Sequence, residues 1–154
     1  MQYITDTEDK AGCIFCTKAE EHRDEQNGIL LRGERVYVIL NAYPYNPGHL
    51  MVVPYDHVSR ITDLDAEVAA ELMQVTQKSV RILDEAMSPA GANIGVNQGR
   101  AAGAGIVDHI HLHVVPRWLG DTNFMTSVGE TKVLPELVQE TYAKLAPLFS
   151  RSAD

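Results

Sequence analysis

The chain has 154 residues, 45% hydrophobic and 22% charged, enough for one domain with its own core and no disulfide framework. Its formal net charge of −8 argues against a nucleic-acid partner, because a phosphate backbone is neutralised by clustered Lys and Arg; small anionic nucleotides stay open, since loop amides and helix N-termini bind phosphate locally. No apolar run approaches the roughly 18 residues of a membrane span, and the acidic stretch Met1 to Asp9 lacks a basic, apolar leader, so we expect a soluble, cytoplasmic protein with no membrane partner.

We read a single domain over 1–154, with an arm over 1–28, a core over 29–118 and a C-terminal segment over 119–154. In the arm Cys13 and Cys16, the only cysteines, are spaced as a metal half-site or a redox pair. A short helix is predicted around Thr17 to Arg23. Gly28–Leu31 and Val36–Leu40, β-branched and aromatic, flank Gly33-Glu34-Arg35 as a hairpin. Asn41 to Gly48 is rich in proline and barred from regular structure, and His49 to Pro54 resumes a strand. Leu64, Val68, Leu72, Val75, Val80 and Leu83 then recur at helical intervals, predicting one long helix capped by Thr62 or Asp63 and ending near Ser88-Pro89. Ala92 to Asn97 is a predicted strand, Gly99 to Gly105 a flexible loop, Val107 to Val115 a further strand, and Leu134 to Leu145 a last helix. Strands joined by short hairpin links, with helices in separate blocks, point to an α+β fold built on an antiparallel sheet of about five strands.

The segment that carries chemistry is Asp108-His109-Ile110-His111-Leu112-His113-Val114-Val115-Pro116-Arg117. In a strand alternate residues share a face, so three imidazoles form a row while Ile110, Leu112 and Val114 turn into the core. Steps of about 6.7 Å between their Cα atoms let neighbours act on one substrate without competing for one position.

The pattern His-φ-His-φ-His-φ-φ, with φ apolar, resembles the signature of the histidine-triad (HIT) superfamily. Leu40-Asn41, Gly48 to Pro54 and Asn97 extend the resemblance, which covers the chain from Cys13 to Arg117. Tyr43 to His49, Pro116-Arg117-Trp118 and Gly120 to Phe124 are similar to bacterial members related to diadenosine tetraphosphate phosphorylases. The resemblance implies a HIT-like fold and an enzyme attacking the α-phosphate of an adenine nucleotide, a dinucleoside polyphosphate or a nucleoside phosphoramidate. It implies that His111 is the nucleophile, a role open to a neutral imidazole that attacks with one nitrogen while the other donates to a carbonyl. His113 and His49 would surround the phosphate and help the leaving group, and Asn41 would meet the ribose hydroxyls. Ile14, Phe15 and Ile39 would line the base pocket, with ordinary core packing the alternative for these three. A homodimer is likewise implied.

One stretch departs from the family. Where many members carry Gln and Ser or Thr before the triad, this chain has Ala104-Gly105-Ile106. Backbone amides exposed by Gly99, Gly103 and Gly105, with Asn97, Gln98 and Arg100, would supply the missing phosphate donors. Whether water, phosphate or another acceptor resolves the intermediate is left open.

Zinc-bearing relatives imply that His57 and His109 join Cys13 and Cys16 in a tetrahedron; four protein ligands close the shell and make such a zinc structural. Two rivals follow from the same residues. A zinc held by His109 and His111 with a third ligand would activate water directly, or the triad would serve a nucleotide-binding sensor with little turnover.

Overall fold

A computed structural model describes residues 12–131 and 135–151. Its elements, in chain order, are α1 (Ile14–Glu21), α2 (Asp24–Asn27), β1 (Ile29–Arg32), β2 (Val36–Leu40), β3 (Leu50–Pro54), α3 (Ala66–Met87), β4 (Gly91–Val96), β5 (Leu112–Arg117), α4 (Phe124–Ser127) and α5 (Val138–Arg151). The five strands form one sheet in the order β1-β2-β3-β5-β4, every neighbouring pair antiparallel. The architecture is α+β, as the sequence predicts. Among the described residues no helix is long and apolar enough to cross a membrane.

Because successive strand residues face opposite sides, the sheet has two cores. Val36, Val38, Leu40, Leu50, Val52, Leu112 and Val114 meet Val68, Leu72, Val75 and Leu83 of α3 and Leu145 and Phe149 of α5. Tyr37, Ile39, Met51 and Val53 point the other way, onto Cys13, Phe15 and Cys16 of the N-terminal arm. The buried Tyr37 hydroxyl donates to the Phe15 carbonyl at 2.9 Å. Burying the Phe15 ring contributes about 2 kcal/mol or more against about 1 kcal/mol net for that bond, so apolar contact chiefly docks the arm.

Several boundaries depart from the sequence expectation. The first helix runs Ile14–Glu21 rather than Thr17 to Arg23: Cys13 accepts the first helical bond from the Thr17 amide, and His22 ends the helix in the left-handed region at φ 52°. The long helix is entered from Asp65, not Thr62 or Asp63, which lie in a separate 3₁₀ turn (Ile61–Asp63) that Leu64 breaks with an extended ψ of 133°. Its end at Ser88 is as expected. Leu134, the expected start of the last helix, lies outside the described residues; the helix seen there spans Val138–Arg151, the Leu137 amide held by Glu140, and continues through Pro147.

The triad strand is shorter than predicted. It begins at Leu112, not Val107, because its partner β3 ends at Pro54, which has no N–H to continue the ladder. His109, Ile110 and His111 form a lead-in whose Ile110 amide bonds the Val58 carbonyl at 2.7 Å. At the far end pairing with β4 carries the strand through Pro116 to Arg117.

Candidate active site

The face of the sheet opposite α3 carries a cross-strand row set by register: Ile29 opposite Ile39, Ile39 opposite Met51, Met51 opposite His113, and His113 opposite Gly95. Helix α1 lies over part of this row and leaves a cavity of about 330 Å³. Ile14, Phe15, Ile39 and Ile106 give it an apolar end, and Asn41, Asn97, His111 and His113 also line it. Lys18, Tyr43 and Tyr45 line it as well, unforeseen from sequence. Lys18 follows Ile14 by one helical turn, which is the signal that would have found it.

The ring nitrogens are assigned by their partners. His111 Nδ1 lies 2.9 Å from the His109 carbonyl, which can only accept, so Nδ1 carries the proton and Nε2 the lone pair. Burial pushes the His111 pKa down, the carbonyl bond partly opposing it. His49 is fully buried; its Nδ1 accepts from the Tyr45 amide at 3.0 Å, placing the proton of the neutral ring on Nε2, 2.9 Å from His113 Nδ1. A neutral His113 therefore carries its own proton on Nε2. Burial and then repulsion from His111 push His113 down to about 4. Both rings are neutral near pH 7: one offers a lone pair and the other, at a ring-centroid distance of 4.7 Å, an N–H.

His49 owes its position to the residue before it. Gly48 has φ +83°, and a Cβ there would stand 2.8 Å from Met87 Sδ and 3.1 Å from Leu83 and Pro116. Only glycine lets the loop turn into β3 against the end of α3. Asn41 uses its side-chain oxygen to accept from the Tyr43 amide at 2.9 Å and brings its Nδ2 within 3.4 Å of His49 Nε2.

Gln98 and Arg100 do not line the cavity. The Gln98 side-chain oxygen accepts from the Ile61 amide at 2.9 Å, and Arg100 is exposed at the start of a 3₁₀ turn (Arg100–Ala102). Gly103 and Gly105 do line it.

A second cluster lies behind the triad, where Cys13, Cys16, His57 and His109 bring their ligand atoms within 4.8 Å of one another. His109 Nε2 donates to the Pro54 carbonyl at 2.8 Å, which turns its Nδ1 toward Cys13 Sγ (3.3 Å), Cys16 Sγ (3.6 Å) and His57 Nδ1 (3.2 Å). Two sulfurs and two imidazole nitrogens form a donor set suited to a metal ion. Phe15 separates the clusters, its ring 5.4 Å from that of His109 and 4.9 Å from that of His111.

An α+β sheet with a histidine row beside a covered cavity is the architecture of a histidine-triad domain, and the HIT domain family model matches residues 23–118. The chain belongs to that family. It is 47% identical over 135 residues to a Mycobacterium tuberculosis protein named AP-4-A phosphorylase, the match covering 88% of this chain and 69% of that one. A Dictyostelium discoideum bis(5'-adenosyl)-triphosphatase is 28% identical over 134 residues, covering 82% and 89%. The crystal structure of a zinc-bound histidine triad family protein from Mycobacterium smegmatis superposes with a TM-score of 0.73 at 29% identity, covering 92% of this chain and 96% of that one.

Proposed function

We propose that this protein is a nucleotidyl hydrolase or transferase that cleaves an adenine dinucleoside polyphosphate at the α-phosphate through a covalent nucleotidyl–His111. The observation that carries this is the pair of assigned tautomers, a lone pair on His111 Nε2 beside an N–H on His113 Nε2 at one cavity wall. His111 Nε2 bonds to the α-phosphorus as the phosphorus–oxygen bond to the leaving polyphosphate breaks. The leaving oxygen keeps that electron pair and departs as a phosphate oxyanion, steadied by a hydrogen bond from the His113 Nε2–H, and the His49 Nε2–H donates to His113 Nδ1 and so holds that ring with its own N–H facing the cavity. Ile14, Phe15 and Ile39 suit a base, and Asn41, whose amide is at the cavity wall, suits ribose hydroxyls. The names of the Mycobacterium tuberculosis and Dictyostelium relatives support this substrate class.

The Cys13, Cys16, His57 and His109 donors fit zinc. A tetrahedron with Zn–S near 2.3 Å and Zn–N near 2.0–2.1 Å has edges of roughly 3.3–3.8 Å, and the Cys13–His109, Cys16–His57, Cys16–His109 and His57–His109 separations run from 3.2 to 3.6 Å. Zinc there would tie the arm to β3 and the triad lead-in. With four protein ligands and His111 engaged elsewhere, these residues keep no open position for a catalytic water.

The test is to incubate enzyme with diadenosine tetraphosphate labelled in the α-phosphate, quench in alkali, where phosphohistidine survives, and map the label by mass spectrometry. Label on His111, and loss of both label and turnover in His111→Gly with AMP binding retained, is the expected result. A His111→Gly enzyme that keeps substantial turnover rules the mechanism out.

A further inference from the structure

The loop that delivers His49 to the site is tied down at one residue. Ala42, Tyr43 and Tyr45 lie exposed at its tip, whereas Asn46 is buried. Strand β3 begins at Leu50, opposite Val114, so β5 runs on beyond it, and the Pro116 carbonyl accepts from Asn46 Nδ2 at 2.9 Å. The same nitrogen donates to Asp121 Oδ2 at 2.7 Å. A carbonyl and a carboxylate only accept, so the amide nitrogen must face them and both of its hydrogens are used. Asp121 is itself fixed: Arg117 Nε and Nη2 donate to its Oδ2 and Oδ1 at 2.6 and 2.7 Å, and the Trp118 amide donates to Oδ2 at 3.1 Å. The Arg117 guanidinium, against the cost of burial, holds the Asp121 carboxyl well below the usual carboxylate range. Asn46 therefore meets a full negative charge, which makes this bond stronger than one between neutral groups.

Asn46 stands between two grips on His49. Its own carbonyl accepts from the His49 amide at 3.1 Å, and the amide of Tyr45, the residue before it, donates to His49 Nδ1 at 3.0 Å. The Tyr45 bond decides which nitrogen of His49 carries the proton, and the 2.9 Å contact from His49 Nε2 to His113 Nδ1 passes that choice on to His113. A shift of roughly 0.6 Å in the loop takes the Tyr45 bond out of range. His49 then has a second arrangement, with its proton on Nδ1 and a lone pair on Nε2. In that arrangement His113 carries its proton on Nδ1 and turns a lone pair, not an N–H, toward the departing oxyanion.

Building on the nucleotidyl-transfer reading of this site, we infer that Asn46 and Asp121 are positioning residues that fix the tautomer of His113: their bond holds the Tyr45 amide on His49, and His49 holds the His113 N–H toward the leaving group. Neither residue lines the cavity beside the triad. They act on the reaction only through the two rings.

The experiment reads the tautomer and the rate separately. Nitrogen-15 NMR of histidine-labelled resting enzyme distinguishes protonated from unprotonated ring nitrogens. In the wild type His113 carries its proton on Nε2; in Asn46→Ala, and equally in Asp121→Ala, both His113 nitrogens move toward the values of a tautomer mixture. Single-turnover labelling of His111 from diadenosine tetraphosphate slows about tenfold in each, short of the 10²–10³ that outright loss of an oxyanion-stabilising donor costs, while AMP affinity changes less than threefold. Asp121→Asn, which keeps an oxygen for the Asn46 amide, restores the spectrum and most of the rate. In a His113→Ala background Asn46→Ala slows labelling no further, as a residue acting through that ring requires. Urea midpoints check the fold, and if Asn46→Ala does not fold, the Asp121→Ala and Asp121→Asn pair carries the same test. An unchanged His113 spectrum in the folded alanine variants overturns the inference, and so does an equal loss of rate in the His113→Ala background. An unlabelled His111 in the wild type overturns the nucleotidyl-transfer reading, and the spectrum of the resting protein still passes or fails the hold of Asn46 on the rings.

Discussion

At His113 a single ring links chemistry and stability. Burial and the neighbouring His111 hold it neutral down to about pH 4, whereas an unfolded chain protonates the same ring near 6.5. Its folded pKa is depressed, so its contribution is intact above pH 6.5 and is lost as pH falls from 6.5 toward 4, where the unfolded chain binds the extra proton. The slope is at most about 1.4 kcal/mol per pH unit, and smaller here because the ring is only half-buried and screened by solvent. Carboxylates titrate in the same window, so the informative quantity is a difference: His113→Gln should show a flatter fall in urea midpoint between pH 6.5 and 4.5 than the wild type. Parallel curves would mean that His113 is protonated as easily folded as unfolded. The alternation of histidine with Ile110, Leu112 and Val114 made this row legible in the sequence. Which nitrogen carries each proton was not legible, because the His109 carbonyl and Tyr45 amide that decide it are fixed only by the fold.

Each element was foreseen where its signal was local. The 3.6-residue recurrence from Leu64 to Leu83 located α3, and the alternation around Gly33 located the β1–β2 hairpin. Errors fell where a distant partner decides: β5 begins only where β3 can still pair, so Pro54 sets its start, and Gln98 leaves the cavity because the Ile61 amide holds it. Lys18 was missed for a related reason, since the arm shows no apolar period and its place over the sheet comes from Phe15 and Tyr37. Gly48 sits between these cases, expected as a loop residue but fixed by contacts with α3 and β5. Gly48→Ala forces a Cβ against Met87, Leu83 and Pro116 at a left-handed φ, and combined overpacking and backbone strain should destabilise by about 2–4 kcal/mol. Urea denaturation measures this. The double variant with Met87→Ala should recover part of the loss, because the closest clash, at 2.8 Å, is with the Met87 sulfur. A single variant as stable as wild type would show that the loop into β3 has another way to turn.

Over the whole molecule, segments far apart in sequence converge on two adjoining sites, and the arm contributes to both: Cys13 and Cys16 face His57 and His109, while Ile14, Phe15 and Lys18 wall the cavity. The Cys–His cluster and the cavity beside the triad are therefore joined through one short helix, with Phe15 between His109 and His111. If zinc ties these donors, removing it frees α1 at its first turn while leaving the two-sided sheet, whose larger core with α3 and α5 contains none of the four ligands. The expected outcome of chelation, or of Cys13→Ser or His57→Ala, is loss of zinc by elemental analysis, a lower Tm and weaker AMP binding, with far-ultraviolet circular dichroism close to that of the wild type. Label at His111 should persist at a reduced rate, because His109 holds the carbonyl that orients His111 Nδ1 and shifts when its own ring loses a partner. A structural zinc thus predicts a rate that falls with arm docking and recovers partly at saturating nucleotide, since bound nucleotide holds α1 in place by mass action. A catalytic zinc predicts that labelling stops and that no concentration of nucleotide restores it. Purified wild type with no bound zinc would leave apolar contact and hydrogen bonds, Tyr37 to Phe15 and Arg32 to Ala19 and Asp24, to dock the arm, and chelation would then change neither Tm nor AMP affinity.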